Sequence, residues 1–345
     1  MSQTASPRAA DLGDLIEPAT ALAERWLSAT RSATTRTERK SAERIADLVG
    51  DPGGLDLAVH FIDRVVRPES NIAAAKALTT LPPGARGFLG QLDRSMLETA
   101  RIAPNMVVPL ARARLRHIVG HLVSNADGAA LTRQLRIAAD QGFQVNLNLL
   151  GEAVLGEAEA AARTKRTHAL LERPDVDYVS IKVSSVVPQI PTWDTRGTVQ
   201  RAAERLRPLL RTAMAKNAFL NLDMEEYRDL NLTVTLFTSL LGEPQFLRAT
   251  AGLALQAYLP DSRAALEELL VFARRRGLEG GAPIKVRLVK GANLSMERVE
   301  AELHGWEQAP YRTKADVDAN YLALIDRALS TEHGTAFRVG VASHN

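Results

Sequence analysis

Val286-Arg287-Leu288-Val289-Lys290-Gly291 is a short apolar run that carries two cations and ends on a glycine. It is one of six such runs. The others are Val145-Asn146-Leu147-Asn148-Leu149-Leu150-Gly151-Glu152, Tyr178-Val179-Ser180-Ile181-Lys182, Phe219-Leu220-Asn221-Leu222-Asp223, Leu253-Ala254-Leu255-Gln256-Ala257-Tyr258 and Val339-Gly340-Val341-Ala342-Ser343-His344-Asn345. Amphipathic stretches near 152–171, 198–216, 226–241, 262–276 and 317–329 lie between the runs. Strand then helix, repeated, predicts a parallel α/β fold. Runs with Val, Ile and Leu on both faces suit strands covered by helices. A doubly wound sheet and a barrel both satisfy this pattern. In a barrel the C-terminal strand ends carry the chemistry. No G-x-G-x-x-G follows a first strand, so nothing supports a Rossmann dinucleotide site.

Before about residue 140 the pattern is helical only. Ala19, Leu22, Ala23, Trp26 and Leu27 keep helical spacing, as do Leu55, Ala58, Phe61, Ile62 and Val65. Asp51-Pro52-Gly53-Gly54 and Pro82-Pro83-Gly84 are breaks. Asp127 and Gly142 predict the caps of one further helix. The expected division is a helical arm over 1–140 and an α/β unit over 141–345.

Hydrophobic residues make up 46% of the 345, enough for a sizeable core. There is no cysteine, which excludes disulfides, thiolate metal sites and a Cys nucleophile. The start of the chain does not resemble a signal peptide, and no apolar run reaches the roughly 20 residues of a spanning helix. A cytoplasmic protein is expected. The net charge of +3 gives no argument for nucleic acid. Arg112, Arg114, Arg116 and His117 lack interleaved aromatics and read as a solvated helix face. His117 and His121 stand at i, i+4 without a third ligand, so no metal is expected.

The strand ends hold the candidates. Lys182 closes an apolar strand and reads as a substrate-site cation or a Schiff-base lysine, against an edge lysine reaching water. Asp223, still within its strand, can orient a lysine or act in proton transfer. Glu225 and Glu226 read better as acids at a helix N-terminus. Arg287 and Lys290, followed by Gly291-Ala292, suit a phosphate-bearing cofactor or a carboxylate. A charge-protected edge strand is the plainer alternative. Gln256 fits either the edge of a heterocycle or a satisfied core position. His344 fits either the site or a frayed end.

Several ordered motifs resemble the proline dehydrogenase family, in particular the flavin domain of bacterial bifunctional proline-utilisation enzymes. They are Leu150-Gly151-Glu152-Ala153, Ser180-Ile181-Lys182, Asn221-Leu222-Asp223-Met224-Glu225-Glu226, Leu255-Gln256-Ala257-Tyr258, Arg287-Leu288-Val289-Lys290-Gly291-Ala292 and Ala342-Ser343-His344-Asn345. The resemblance implies a (βα)8 TIM-like barrel, incomplete here with about six strands, over 141–345. It implies FAD, oxidation of L-proline to Δ1-pyrroline-5-carboxylate, and a quinone acceptor at the inner face of the plasma membrane. It also implies an aldehyde dehydrogenase domain outside this chain. By the same resemblance Lys182, Asp223 and Arg287 are catalytic, and Glu152, Lys182 and Asp223 bind substrate. Gln256, Arg287, Val289, Lys290, Gly291, Ala292, Lys314, His344 and Asn345 line the cofactor, with Lys314 and His344 near its phosphates.

Two departures stand out. Asn293 and Leu294 replace an aromatic pair that the family often carries. No segment supplies the paired arginines that clamp the substrate carboxylate, and Arg274-Arg275-Arg276 precedes the fifth strand. The chain is therefore expected to be a fragment with little proline oxidation of its own. Two other expectations stand beside it: a non-catalytic barrel remnant serving as an interaction module, and a Schiff-base barrel enzyme using Lys182 or Lys290.

Overall fold

The computed structural model describes residues 12–36, 39, 43, 46, 64, 70–79, 99–100, 102–119, 128–149, 154, 156–188 and 190–342. The chain separates into two compact units, Met1–Ser124 and Asn125–Asn345. In the first, α1 (Leu12–Ala33), α2 (Asn71–Thr79) and α3 (Pro104–Val119) are described. Small residues join α2 to α3: Ala74, Ala75 and Leu78 are buried with Val107, Val108 and Ala111. Asn71 donates to Asn105 and accepts from Arg112. Trp26 and Leu27 of α1 are exposed.

The helix expected between Asp127 and Gly142 is α4 (Gly128–Asp140), and Gly142 takes a left-handed φ of 82° just beyond it. It falls in the second unit, although its pattern groups it with the helical half. The reason is burial, since Leu131 sits in the core shared by the strands. The second unit continues through β1 (Leu147–Asn148), α5 (Glu157–Leu171), β2 (Tyr178–Lys182), α6 (Val183–Val186), α7 (Thr195–Lys216), β3 (Phe219–Asp223) and α8 (Leu230–Leu241). Then come β4 (Ala251–Gln256), α9 (Ser262–Leu278), β5 (Ile284–Val289), α10 (Leu294–His304), α11 (Lys314–Ala328) and β6 (Phe337–Val341). Strands β4, β5 and β6 begin two residues earlier than the apolar runs suggest. Helix α10 was not expected; it buries Ala301 while Met296, Val299 and Leu303 are exposed.

All six strands are parallel, in the order β1-β2-β3-β4-β5-β6. A doubly wound sheet reverses its order at a switch point. This sheet never reverses, so every unit adds its strand on the same side, as in the winding of a barrel. The helices supply the covering layer. In α7, Asp194 caps the first turn by accepting from the Gly197 N–H at 3.0 Å, and Asn217 ends the helix in the left-handed conformation. Its stripe of Ala202, Leu206, Leu209, Leu210 and Ala213 is buried.

Alternation along the strands gives the sheet two faces. Val179, Ile181, Leu220, Leu222, Leu253, Leu255, Ile284, Val286 and Leu288 lie in the core with the helices. Truncating one such Leu to Ala costs about 2–5 kcal/mol. The opposite, inner face carries Ser180, Lys182, Asn221, Asp223, Gln256, Lys285 and Arg287, the residues one step out of phase. Barrel interiors are dominated by Val, Ile and Leu. The polar residues of this inner face depart from that rule, which makes them the candidates for contact with a ligand. Below it, Arg276 is 2% exposed and donates to the carbonyls of Leu241, Phe246, Leu247, Ala249 and Ala282. It binds the loops beneath β4 and β5 together, a structural duty.

Candidate active site

Register decides which polar residues share a level. Lys182 pairs with Asp223 across β2 and β3, and Ala254 pairs with Arg287 across β4 and β5. Leu222 opposite Leu253 then sets Asp223 beside Ala254. Arg287 reaches over the Ala254 methyl group and donates from Nη2 to Asp223 Oδ1 at 2.5 Å. Two strand spacings, roughly 10 Å, separate β3 from β5. A larger side chain at 254 would stand in that path.

Asp223 is the hub of the level. It also accepts from Asn148 Nδ2 at 2.9 Å and from Asn221 Nδ2 at 2.8 Å. Burial pushes its carboxyl above the usual carboxylate range, while the charge and hydrogen bond of Arg287 and the charge of Lys182 pull against that shift. Ser180 Oγ accepts from Asn146 at 2.9 Å and from Asn221 at 3.2 Å, which fixes the amides beneath. Lys182 Nζ donates to Glu225 Oε1 in a short ion pair. Glu225 also anchors Gln256, whose Nε2 donates to the Glu225 carbonyl at 3.1 Å. The Ala292 N–H approaches Gln256 Oε1 at 3.4 Å.

Lys290 parts from Arg287. Three positions apart in extended chain, they leave on opposite sides. Lys290 Nζ lies 2.7 Å from Asp318 of α11 and 5.7 Å from the Tyr321 ring centre. Lys314, the first residue of α11, pairs with the same Asp318 at 2.5 Å. Directly after Lys290, Gly291 has φ 129°, and a Cβ there would stand 2.4 Å from Tyr258 Cγ. Only glycine allows this backbone to lie against that ring.

Lys182, Asp223, Arg287 and Gln256 thus come together on the inner face, and Val289 shares that face at the end of β5. Lys290 and Lys314 form a second cationic group on the α11 side. The joint use of Arg287 and Lys290 on one ligand atom set, which adjacency in sequence suggests, is replaced by two separate stations. Glu152, His121, His344 and Asn345 lie outside the described residues. Glu225 was read as a helix-terminal acid and instead pairs with Lys182. Asn148 and Asn221 were missed, although Asn221 and Asp223 alternate with period two, which is the signal of a polar strand face. No group of acids and histidines suited to a metal occurs among the described residues.

A family model described as proline dehydrogenase matches residues 131–345. The proline dehydrogenase of Deinococcus radiodurans is 28% identical over 265 residues, covering 75% of this chain and 74% of that protein. The bifunctional protein PutA of Escherichia coli is 27% identical over 220 residues, 59% of this chain but 16% of that protein. Among solved structures, proline utilization A from Corynebacterium freiburgense is 56% identical with a TM-score of 0.64, over 67% of this chain and 24% of that one. The Bdellovibrio bacteriovorus structure is 27% identical with a TM-score of 0.71, over 88% of this chain and 31% of that one. The chain thus spans most of the first relative and under a third of the bifunctional ones. With a match that runs from α4 through β6 and takes in the whole Lys182–Asp223–Arg287 level, the chain belongs to the proline dehydrogenase family.

Proposed function

We propose that this chain is the flavin-binding part of an enzyme that oxidises L-proline to Δ1-pyrroline-5-carboxylate, with FAD as first acceptor and a membrane quinone as the next. The observation that carries the reading is the single level on which Lys182, Asp223 and Arg287 meet, across a strand whose inner face offers only Ala254 there. The donor set fits a flavin ring: a guanidinium, a buried carboxamide and backbone N–H groups at strand ends, around small residues that leave room. When bound, FAD would supply a two-electron acceptor for oxidation at the carbon beside the proline nitrogen.

The remaining work falls to this chain's own residues. Arg287 holds a fixed positive charge where negative charge develops. Asp223, gripped by two asparagines, fixes the guanidinium and presents a carboxylate to the secondary amine. Lys182 is held by Glu225 and sets the potential at the mouth. Gln256 and the Ala292 N–H offer an acceptor and a donor to a ring edge. Lys290 and Lys314 suit the cofactor's phosphates. At this end of the strands Lys182, Arg287, Lys290 and Lys314 each already face an acid. The grip on the proline carboxylate is accordingly assigned to cations beyond the described residues. None of the described helices is long and apolar enough to cross a membrane. The quinone is reached from the membrane surface, and an aldehyde dehydrogenase domain consumes the product. The Schiff-base alternative named Lys182 and Lys290, and both face carboxylates.

Flavin loading tests the reading. Purified with FAD, the 345-residue chain is expected to hold a flavin spectrum, and a form that also carries the carboxylate-gripping cations is expected to reduce a dye when given proline. A chain that takes up no flavin would sink the proposal.

A further inference from the structure

We infer that Asp318 is a positioning residue for the diphosphate of the cofactor, holding Lys290 and Lys314 in a preformed pair. This rests on the flavin reading above and extends it to a residue that touches neither ring nor substrate. The two lysines come from different elements: Lys290 follows β5, and Lys314 opens α11. Asp318 lies one turn into α11 and contacts both, at 2.7 Å through Oδ1 and 2.5 Å through Oδ2. Lys314 is 77% exposed and Lys290 21%, so without a common partner the first would range through solvent.

The surroundings of Asp318 are themselves fixed. Two residues on, buried Asn320 donates to the Ala257 carbonyl at 2.7 Å and accepts from Arg263 at 2.6 Å. Tyr321 donates to the Ala342 carbonyl at 2.5 Å and places its ring under Lys290. This part of α11 is therefore pinned to the loop after β4 and to the end of β6. A carboxylate on such a base holds a lysine in one place, whereas one on a loose helix would only follow it.

The inference has an opposite. If Asp318 were a bystander, its negative charge would repel the diphosphate, and its removal would tighten binding. Positioning predicts the reverse sign. In the full 345-residue chain, Asp318→Asn is expected to weaken FAD binding by about tenfold, the scale of one lost contact to a charged group. Riboflavin, which has no phosphate, is expected to bind both proteins alike. Asp318→Glu, which keeps the charge, is expected to recover part of the loss. Flavin fluorescence titration reads all three, with circular dichroism as the check that each variant folds. FAD binding that is unchanged or tighter in Asp318→Asn overturns the inference and leaves the flavin reading standing. An equal loss of riboflavin overturns it too, since that marks general damage. Wild-type chain that binds neither ligand removes both.

Discussion

The lower and upper levels of the inner face follow one plan with different chemistry. In both, a side chain of β3 meets a cation of β5 over β4: Asp223 in register across Ala254 above, and Phe219 diagonally past Gly252 below, where Asn221 is the in-register residue of β3. In the lower level Lys285 Nζ stands 5.1 Å from the Tyr178 ring centre and 5.7 Å from that of Phe219. A Cβ on Gly252 would lie 2.9 Å from the Phe219 ring, so the bare strand is a condition of this packing. Aromatic faces attract a cation without giving it an acceptor. Burial and then the nearby charge of Arg287 push the Lys285 amine below its usual range. In the upper level Arg287 has a carboxylate with two asparagines behind it. One repeating geometry thus makes a floor and a mouth. Height along the strand, rather than the presence of a cation, separates structure from chemistry.

The largest expected effect is at the mouth. Arg287→Gln should slow proline-dependent flavin reduction by about 10²–10³-fold, the scale of losing one preorganised charge. Its urea midpoint should fall as well, because Arg287 is three-quarters buried and its loss leaves the Asp223 carboxylate without its cation. A variant that keeps wild-type rates would break the contrast. Next comes Ala254→Leu, which places a branched chain between Asp223 and Arg287. Overpacking should cost about 1–3 kcal/mol of stability by urea unfolding. The rate should fall with it, because Arg287 can no longer cross.

A pH profile sharpens the same point. Protonating Asp223 dissolves its pair with Arg287, so the rate should fall as pH drops through the Asp223 pKa. That pKa is raised, chiefly by burial, so the acid limb should lie above the usual Asp range. Lys182→Met removes a charge that pulls the pKa down and should move the limb to higher pH. A limb at the ordinary Asp value in wild type would remove Asp223 from the mechanism. The smallest effect is expected on the floor. Lys285→Met keeps most of the packed volume and should change stability by about 1 kcal/mol or less. Its rate should stay within a few-fold of wild type, and a hundredfold loss would make the floor part of the mouth.

Much of the fold was legible. Tyr178–Lys182 and Phe219–Asp223 are strands over the residues that their apolar runs mark. Gly142 stands in the left-handed conformation just beyond a helix, as its residue type predicts. The site was legible where a polar residue ends an apolar strand, as with Lys182, Asp223 and Gln256. It was illegible where the partner lies elsewhere in the chain. Glu225 looked like a helix-terminal acid because its neighbours are acidic, and nothing local pointed to Lys182, 43 residues earlier. Helix α4 was grouped with the helical half because its pattern is helical, and pattern does not reveal which core Leu131 enters.

The sequence by itself determined the alternation of strand and helix, the number of strands and the presence of polar residues at their ends. Those features follow from backbone propensity and from periods of 3.6 and 2, which are local. Only the tertiary structure decided that the sheet winds in one direction, that Arg287 turns to Asp223 while Lys290 turns to Asp318, and that β4 is bare enough for its neighbours to meet over it. These depend on register between strands and on the size of what lies between them. Both are fixed when distant segments pack, and neither leaves a mark on the residues beside them in the chain.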